Sequence, residues 1–348
     1  MPDNQNQNSD RWQALDIVKT LGVLGALGGL ILLWWFGENK NPAMGNVSYS
    51  LSTAFWPTIG YLVVITHLLF ISAGAAFYFY LKNNKPTFKK IVFRFILFIF
   101  IGILFGLNLQ PFVVFWNVFL FYAFSILIIF IMDRYSDKKI IFYLTLCTLV
   151  STPFLRLFLN KIAPGNYLSA VLIGDPLGKI SFYPFFPWFF LVGAGFLISY
   201  FYSKYQNKRF LTYGALGGII ISFFIIPFLK PLDLSNVFGS VSQIPINYII
   251  FIFSSFIFLI SSLELILKKI TLSKYNPAIA IGRYILPVYL ITIAITLPLT
   301  DALKNSARYS NNIYIFLTLE LITLAIAYLA GAILTYRSGK RVLRIRGS

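Results

Sequence analysis

Residues 11–35 read RWQALDIVKTLGVLGALGGLILLWW, and this stretch decides the class of the chain. From Leu21 to Trp35 it carries no charged side chain, while Arg11, Asp16 and Lys19 gather at its start. A run of about 20 apolar residues crosses roughly 30 Å of hydrocarbon as a helix. The segment reads as a first membrane span rather than a signal peptide, because it is too long and no small-residue cleavage site follows it. The charges at its start invite three readings: a boundary anchor, a structural pair, or part of a site.

The rest of the chain repeats the pattern. Of 348 residues, 58% are hydrophobic and only 11% charged, too few charges for a soluble fold of this length. Mean hydropathy is +0.78. In lipid an apolar run must satisfy its own backbone groups, which makes it helical. The fold class expected is all-α: a polytopic integral membrane helix bundle of about ten transmembrane helices. The spans are 14–36, 55–81, 91–109, 111–132, 140–159, 183–203, 210–229, 246–267, 280–301 and 313–336. Residues 1–13 form a polar N-terminus, 14–336 a single transmembrane domain and 337–348 a basic tail. Aromatic residues at 18% suit lipid-facing and interfacial positions.

The formal net charge is +18, yet its distribution speaks against nucleic acid as a partner. Lys and Arg gather in alternate connecting segments. They are Lys82, Lys85, Lys89 and Lys90; Arg134, Lys138 and Lys139; Lys204, Lys208 and Arg209; Lys268, Lys269 and Lys274; and five cations in the tail from Arg337 to Arg346. The intervening segments hold Lys40, Lys161, Lys179, Lys230, Lys304 and Arg308. This is the positive-inside signature, and it places both termini in the cytoplasm. The expected location is the cytoplasmic membrane of a prokaryote, with membrane lipids as the constant partner.

Chemistry-bearing residues are sparse. The one cysteine, Cys147, lies within the fifth span, so there is neither a disulfide framework nor a Cys/His metal pattern. No metal site is expected. Gly25 and Gly29, Gly102 and Gly106, and Gly214 and Gly218 form G-x-x-x-G pairs, and Gly193 and Gly195 stand in the sixth span. Such residues let helices approach closely, within one bundle or in a homodimer or larger membrane complex. The Gly- and Pro-rich stretch 160–182 suits a loop folded back on the membrane surface.

Ionisable residues inside spans are costly and usually face a partner or a cavity. Asp16 and Lys19 are three apart and can pair on one helix face, as can Glu264 and Lys268, four apart. Arg94, Arg283 and Arg156 lie close enough to span ends to snorkel. His67, the only histidine, is about 18 Å into its span at 1.5 Å per residue, near mid-membrane. Glu320 stands about two turns in from the opposite end of the last span.

Several of these segments resemble the heparan-α-glucosaminide N-acetyltransferase-like family, a branch near the acyltransferase-3 proteins. RWQALDIVKT resembles the opening of that family through Arg11, Asp16 and the basic Lys19, with Lys19-Thr20 where the family has Arg-Gly. TAFWPTIGYLVVITHLLFISAG, residues 53–74, is similar to its second helix through Trp56 and the run ending in Gly74. FYPFFPWFFLVGAGFL, residues 182–197, matches a Pro-x-x-Pro-Trp segment through Pro184, Pro187, Trp188 and Gly193. IGRYILPVYLITIAI, residues 281–295, resembles a late helix that carries a histidine, in whose place Thr292 or a near neighbour stands. Thr53 occupies the family's catalytic-histidine position, Val63 that of an Asp, and His67 a position usually held by Pro.

The resemblance implies transfer of an acyl group, by default acetyl, from cytoplasmic acyl-CoA to a glycan, lipid or cell-envelope acceptor. Acetyl-CoA or another acyl-CoA would serve as donor substrate, with no tightly bound cofactor. For such chemistry the expected site residues of this chain are His67, Asp16 and Glu320 as catalytic groups, His67 taking over from the family's missing histidine; Arg11, Lys19, Arg94 and Arg283 on the donor phosphates; and Thr53, Trp56 and Trp188 at the acceptor. Imidazole suits removal of the acceptor proton near neutral pH, and cations suit phosphate. Two other classes stay open: a catalytically degenerate acyltransferase-like subunit of a membrane assembly, and a transporter or flippase of an envelope precursor.

Overall fold

The computed structural model describes residues 12–36, 65–108, 117–162, 166–174, 181, 183–205, 213–214, 216–217, 220–221, 224, 243–267, 270, 272–273, 276–304 and 313–346. Among them the regular structure is helical. The main helices are α1 Gln13–Phe36, α2 Ile65–Asn84, α3 Phe88–Asn108, α4 Val118–Tyr135, α5 Lys138–Ile162 and α6 Tyr167–Ile173. They continue with α7 Phe185–Tyr205, α8 Ile246–Leu267, α9 Pro277–Arg283, α10 Ile285–Lys304 and α11 Ile313–Arg346. Seven helices among the described residues, α2, α4, α5, α7, α8, α10 and α11, are long and apolar enough to cross a membrane. The molecule is thus a helical protein with the character of a membrane protein. The first and third expected spans form α1 and α3, and most of the seventh lies outside the described residues.

Local sequence sets the helix ends. Asn117 caps α4 by accepting from the amides of Phe119 and Leu120, and its own amide donates to the Gly102 carbonyl of α3 at 2.7 Å. This cap starts α4 several residues later than apolarity alone suggests, since a capping side chain ties down otherwise unpaired amides. Asn276 accepts from the Ala278 amide ahead of Pro277, which opens α9 with its ring already set to the helical φ. The ninth expected span does not run through. It breaks at Tyr284, at φ −126° and ψ 48°, into α9 and α10. Pro287 lacks an N–H and its ring would clash with the carbonyl four residues earlier, that of Arg283, so the chain departs from helix at that point. Phe186, ahead of Pro187, is likewise non-helical at φ −97° and ψ 123°.

Several hydroxyls bond to carbonyls within their own helices. On α10, Thr292, Thr296 and Thr300 donate to the carbonyls of Val288, Thr292 and Thr296. On α5, Thr148, Ser151 and Thr152 do the same just before Pro153, where the helix loses an amide donor. Such local bonds remove the cost of a free hydroxyl in an apolar setting.

The chain divides into two compact units, residues 1–69 with 259–348 and residues 70–258. In the second, glycines mark where helices touch. A Cβ added at Gly74 of α2 would lie 1.9 Å from the Val192 carbonyl oxygen of α7, and one at Gly195 of α7 would lie 1.9 Å from that of Ile71. Gly193 abuts Thr145 of α5 in the same way. Phe70 of α2 holds the centre of this unit, with ring contacts to Phe121, Tyr122, Tyr183 and Trp188. The Arg156 guanidinium donates to the carbonyls of Ile173, Gln243 and Ile244, tying α5 to the ends of neighbouring segments.

Candidate functional site

The first unit collects most of the charged and polar groups expected to matter, and α1 organises them. Near its start Asp16 and Lys19 form an ion pair at 2.6 Å, both buried. One helical turn brings residues three apart onto one face, which is why the spacing pairs them. The next residue, Thr20, donates its hydroxyl to the Ala278 carbonyl of α9 at 2.8 Å. Gly282 of α9 lies so close to α1 that an added Cβ would fall 1.8 Å from the Asp16 carbonyl oxygen. Arg283 follows directly on that glycine, so α9 delivers a second cation to the end of the unit that holds Lys19. At the far side of α9, the Tyr284 hydroxyl donates to Ser338 at 2.7 Å, and Ser338 donates to the Thr335 carbonyl of α11.

Further along α1 come the two ionisable groups that sequence placed inside spans. Gly22 meets Leu69 of α2, and Gly25 meets Ile65 and Thr66. The start of α2, including the buried His67, therefore lies against the Gly22–Gly25 stretch of α1. At Gly28 the neighbour is Glu320 of α11, whose carboxylate oxygens lie 3.4 and 3.7 Å from where a Cβ would stand. Counting 1.5 Å per residue, Glu320 stands about 18 Å along α1 from Asp16, with His67 at a level between them. Measured along α1, the Asp16–Lys19 pair comes first, then the level of His67, then Glu320. Among the described residues Glu320 forms neither an ion pair nor a hydrogen bond.

Other expected site residues fall elsewhere. Arg94 belongs to the second unit, on α3, with its guanidinium 3.8 Å from the centre of the Tyr80 ring. Trp188 is also in the second unit and is fully buried against Phe70 and Tyr183. Arg11, Thr53 and Trp56 lie outside the described residues. Thr292, at or near the place of the resemblance's late histidine, is buried with its hydroxyl turned onto the Val288 carbonyl. No group of three His, Cys, Asp or Glu side chains that could hold a metal occurs among the described residues. Sequence reasoning missed the part played by Gly28 and Gly282. Their signal was there, small residues at helical spacing on helices that also carry charge, but spacing alone does not name the helix opposite.

No family model, curated protein or solved structure matches this chain.

Proposed function

We propose that the protein is a multipass acyltransferase of a prokaryotic cytoplasmic membrane. It takes an acyl group, by default acetyl, from cytoplasmic acyl-CoA and passes it to a glycan, lipid or envelope acceptor. The observation that carries the reading is the meeting of Lys19 and the segment bearing Arg283 at one end of the first unit, with His67 of α2 at a level farther along α1. In this scheme Lys19 and Arg283 hold the donor phosphates, and Asp16 fixes Lys19 in place. The acceptor N–H or O–H attacks the thioester carbonyl and gives its proton to His67. The new C–N or C–O bond forms, the C–S bond breaks, and the thiolate leaves as CoA after taking a proton. The proposal includes ten spans with both termini cytoplasmic. Supporting it are the alternating charge, the seven apolar helices, and the helical course of α1 and α3.

The test is binding of CoA to the purified full chain. Saturable binding below about 1 mM, the upper end of ordinary substrate affinities, is expected. It should weaken on Arg283→Ala and become weaker still at high salt, because phosphates are held mainly by charge. No binding in the parent protein overturns the reading.

A second reading, a transporter of an envelope precursor, draws on the break between α9 and α10 beside the ion pair and on the carboxylate of Glu320 within α11, which has no ion pair among the described residues. Discontinuous helices and intramembrane carboxylates are parts that transporters use. It predicts no CoA binding, together with movement of a lipid-linked precursor across proteoliposomes.

A further inference from the structure

The second unit holds a charged surface that the proposed chemistry leaves unused. The turn from α2 to α3 carries Lys82, Lys85, Lys89 and Lys90, and Arg94 follows two turns into α3; all five are exposed. No Asp or Glu occurs in the sequence between Glu38 and Asp133, so the turn holds no carboxylate of its own. Among the described residues none of the five cations has an ion pair. The α4–α5 turn is built differently. There Lys138 pairs with Asp133, and Asp137 accepts from the Lys139 amide.

Three further details give the α2–α3 turn a built character. Lys82 donates to Ser203 near the end of α7, and the Arg94 guanidinium lies over the Tyr80 ring. Both cations are thereby held in place. Lys85 ends the helix at φ 40°, the left-handed region where a side chain costs about 1–2 kcal/mol and glycine nothing. A charge sits where the backbone favours glycine. Beyond the cations, α3 exposes Phe93, Ile96, Leu97 and Phe100. Exposed cations that pass directly into an exposed apolar strip match a molecule with an anionic head and acyl chains, which a free phosphate lacks.

We propose that the α2–α3 turn, through Lys82, Lys85, Lys89, Lys90 and Arg94, is a binding site for the headgroup of an anionic phospholipid, whose chains lie along the apolar strip of α3. The full chain, purified in neutral detergent micelles doped with diphosphatidylglycerol or phosphatidylcholine, is examined by native mass spectrometry for retained lipid. The parent should retain the anionic lipid in preference to phosphatidylcholine. Removing one cation should weaken retention about fivefold, the scale of one Lys or Arg near an anionic surface. Lys85→Gly separates binding from folding: it relieves the left-handed residue, so its thermal stability should equal or exceed that of the parent while retention falls. Arg94→Gln should lose retention similarly, and Lys138→Gln/Lys139→Gln should leave it unchanged. Equal retention of the two lipids, undiminished retention in Lys85→Gly and Arg94→Gln, or an equal loss in the α4–α5 control overturns the proposal. Displacement of the bound lipid by an equal concentration of inorganic phosphate also overturns it, by making the natural occupant a free phosphate.

Discussion

Lys19 shows what a buried charge requires of its neighbours in this chain. An ammonium so little exposed is tolerable because Asp16 sits one turn away at 2.6 Å. Removing one partner of a buried pair strands the other charge, typically at a cost of about 3–5 kcal/mol, whereas removing both is far milder. Lys19→Met is therefore expected to lower thermal stability in detergent strongly, and Asp16→Asn/Lys19→Met to recover most of the loss. If the two variants melt alike, the pair is not what holds Lys19 in place. His67 is read by a different pair of measurements. As the general base, its loss in His67→Ala should cut acyl transfer by about a hundredfold or more, the usual scale for that role. As a hydrogen-bonded structural group, its loss should cost about 1–3 kcal/mol of stability, with activity per folded molecule unchanged. A folded His67→Ala protein with full transferase activity would remove it from the chemistry.

Helix contacts set what each element tolerates. In hydrocarbon there is little hydrophobic gain from bringing helices together, so close packing and weak backbone contacts must do the work, and small residues permit both. Gly74 and Gly29 are a natural contrast. A Cβ at Gly74 would run into the Val192 backbone of α7 at 1.9 Å, while one at Gly29 would meet nothing within 4 Å. Backbone cannot rotate aside as a side-chain tip can. Gly74→Ala should therefore push α2 and α7 apart and destabilise the protein by about 1–3 kcal/mol or more. Gly29→Ala should be neutral or stabilising by up to about 1 kcal/mol, because alanine is the better helix former. Thermal unfolding of the two variants checks the contrast, and equal losses would show that α2 and α7 do not meet at Gly74.

At the scale of the whole molecule, sidedness is the open quantity, and the charge pattern commits to it. Lys and Arg are retained on the cytoplasmic side during insertion, so the α2–α3 and α4–α5 turns should lie inside. Cys147 is the only cysteine, so Cys147→Ser provides a background in which single cysteines report position. Lys85→Cys and Ser136→Cys should resist a membrane-impermeant thiol reagent in intact cells, and Gly45→Cys and Phe238→Cys should react. Labelling at residue 85 from outside would overturn the topology, since that turn has the densest positive charge.

Sequence by itself determined the class of the molecule and much of its element list, because lipid leaves an apolar run no alternative to the helix. It also predicted the Asp16–Lys19 pair, since a spacing of three fixes two side chains on one helix face whatever lies around them. The division of the ninth span was half legible: Pro287 was visible, but the break at Tyr284 depends on where α9 starts, which Asn276 and Pro277 decide together. What only the tertiary structure decided is which helices meet. Nothing local in the chain says that Gly28 faces Glu320 or that Gly282 presses on Asp16, because those contacts join residues hundreds of positions apart. They depend on the mutual fit of surfaces that are uniformly apolar in sequence, and in such surfaces a missing side chain, rather than a present one, selects the partner.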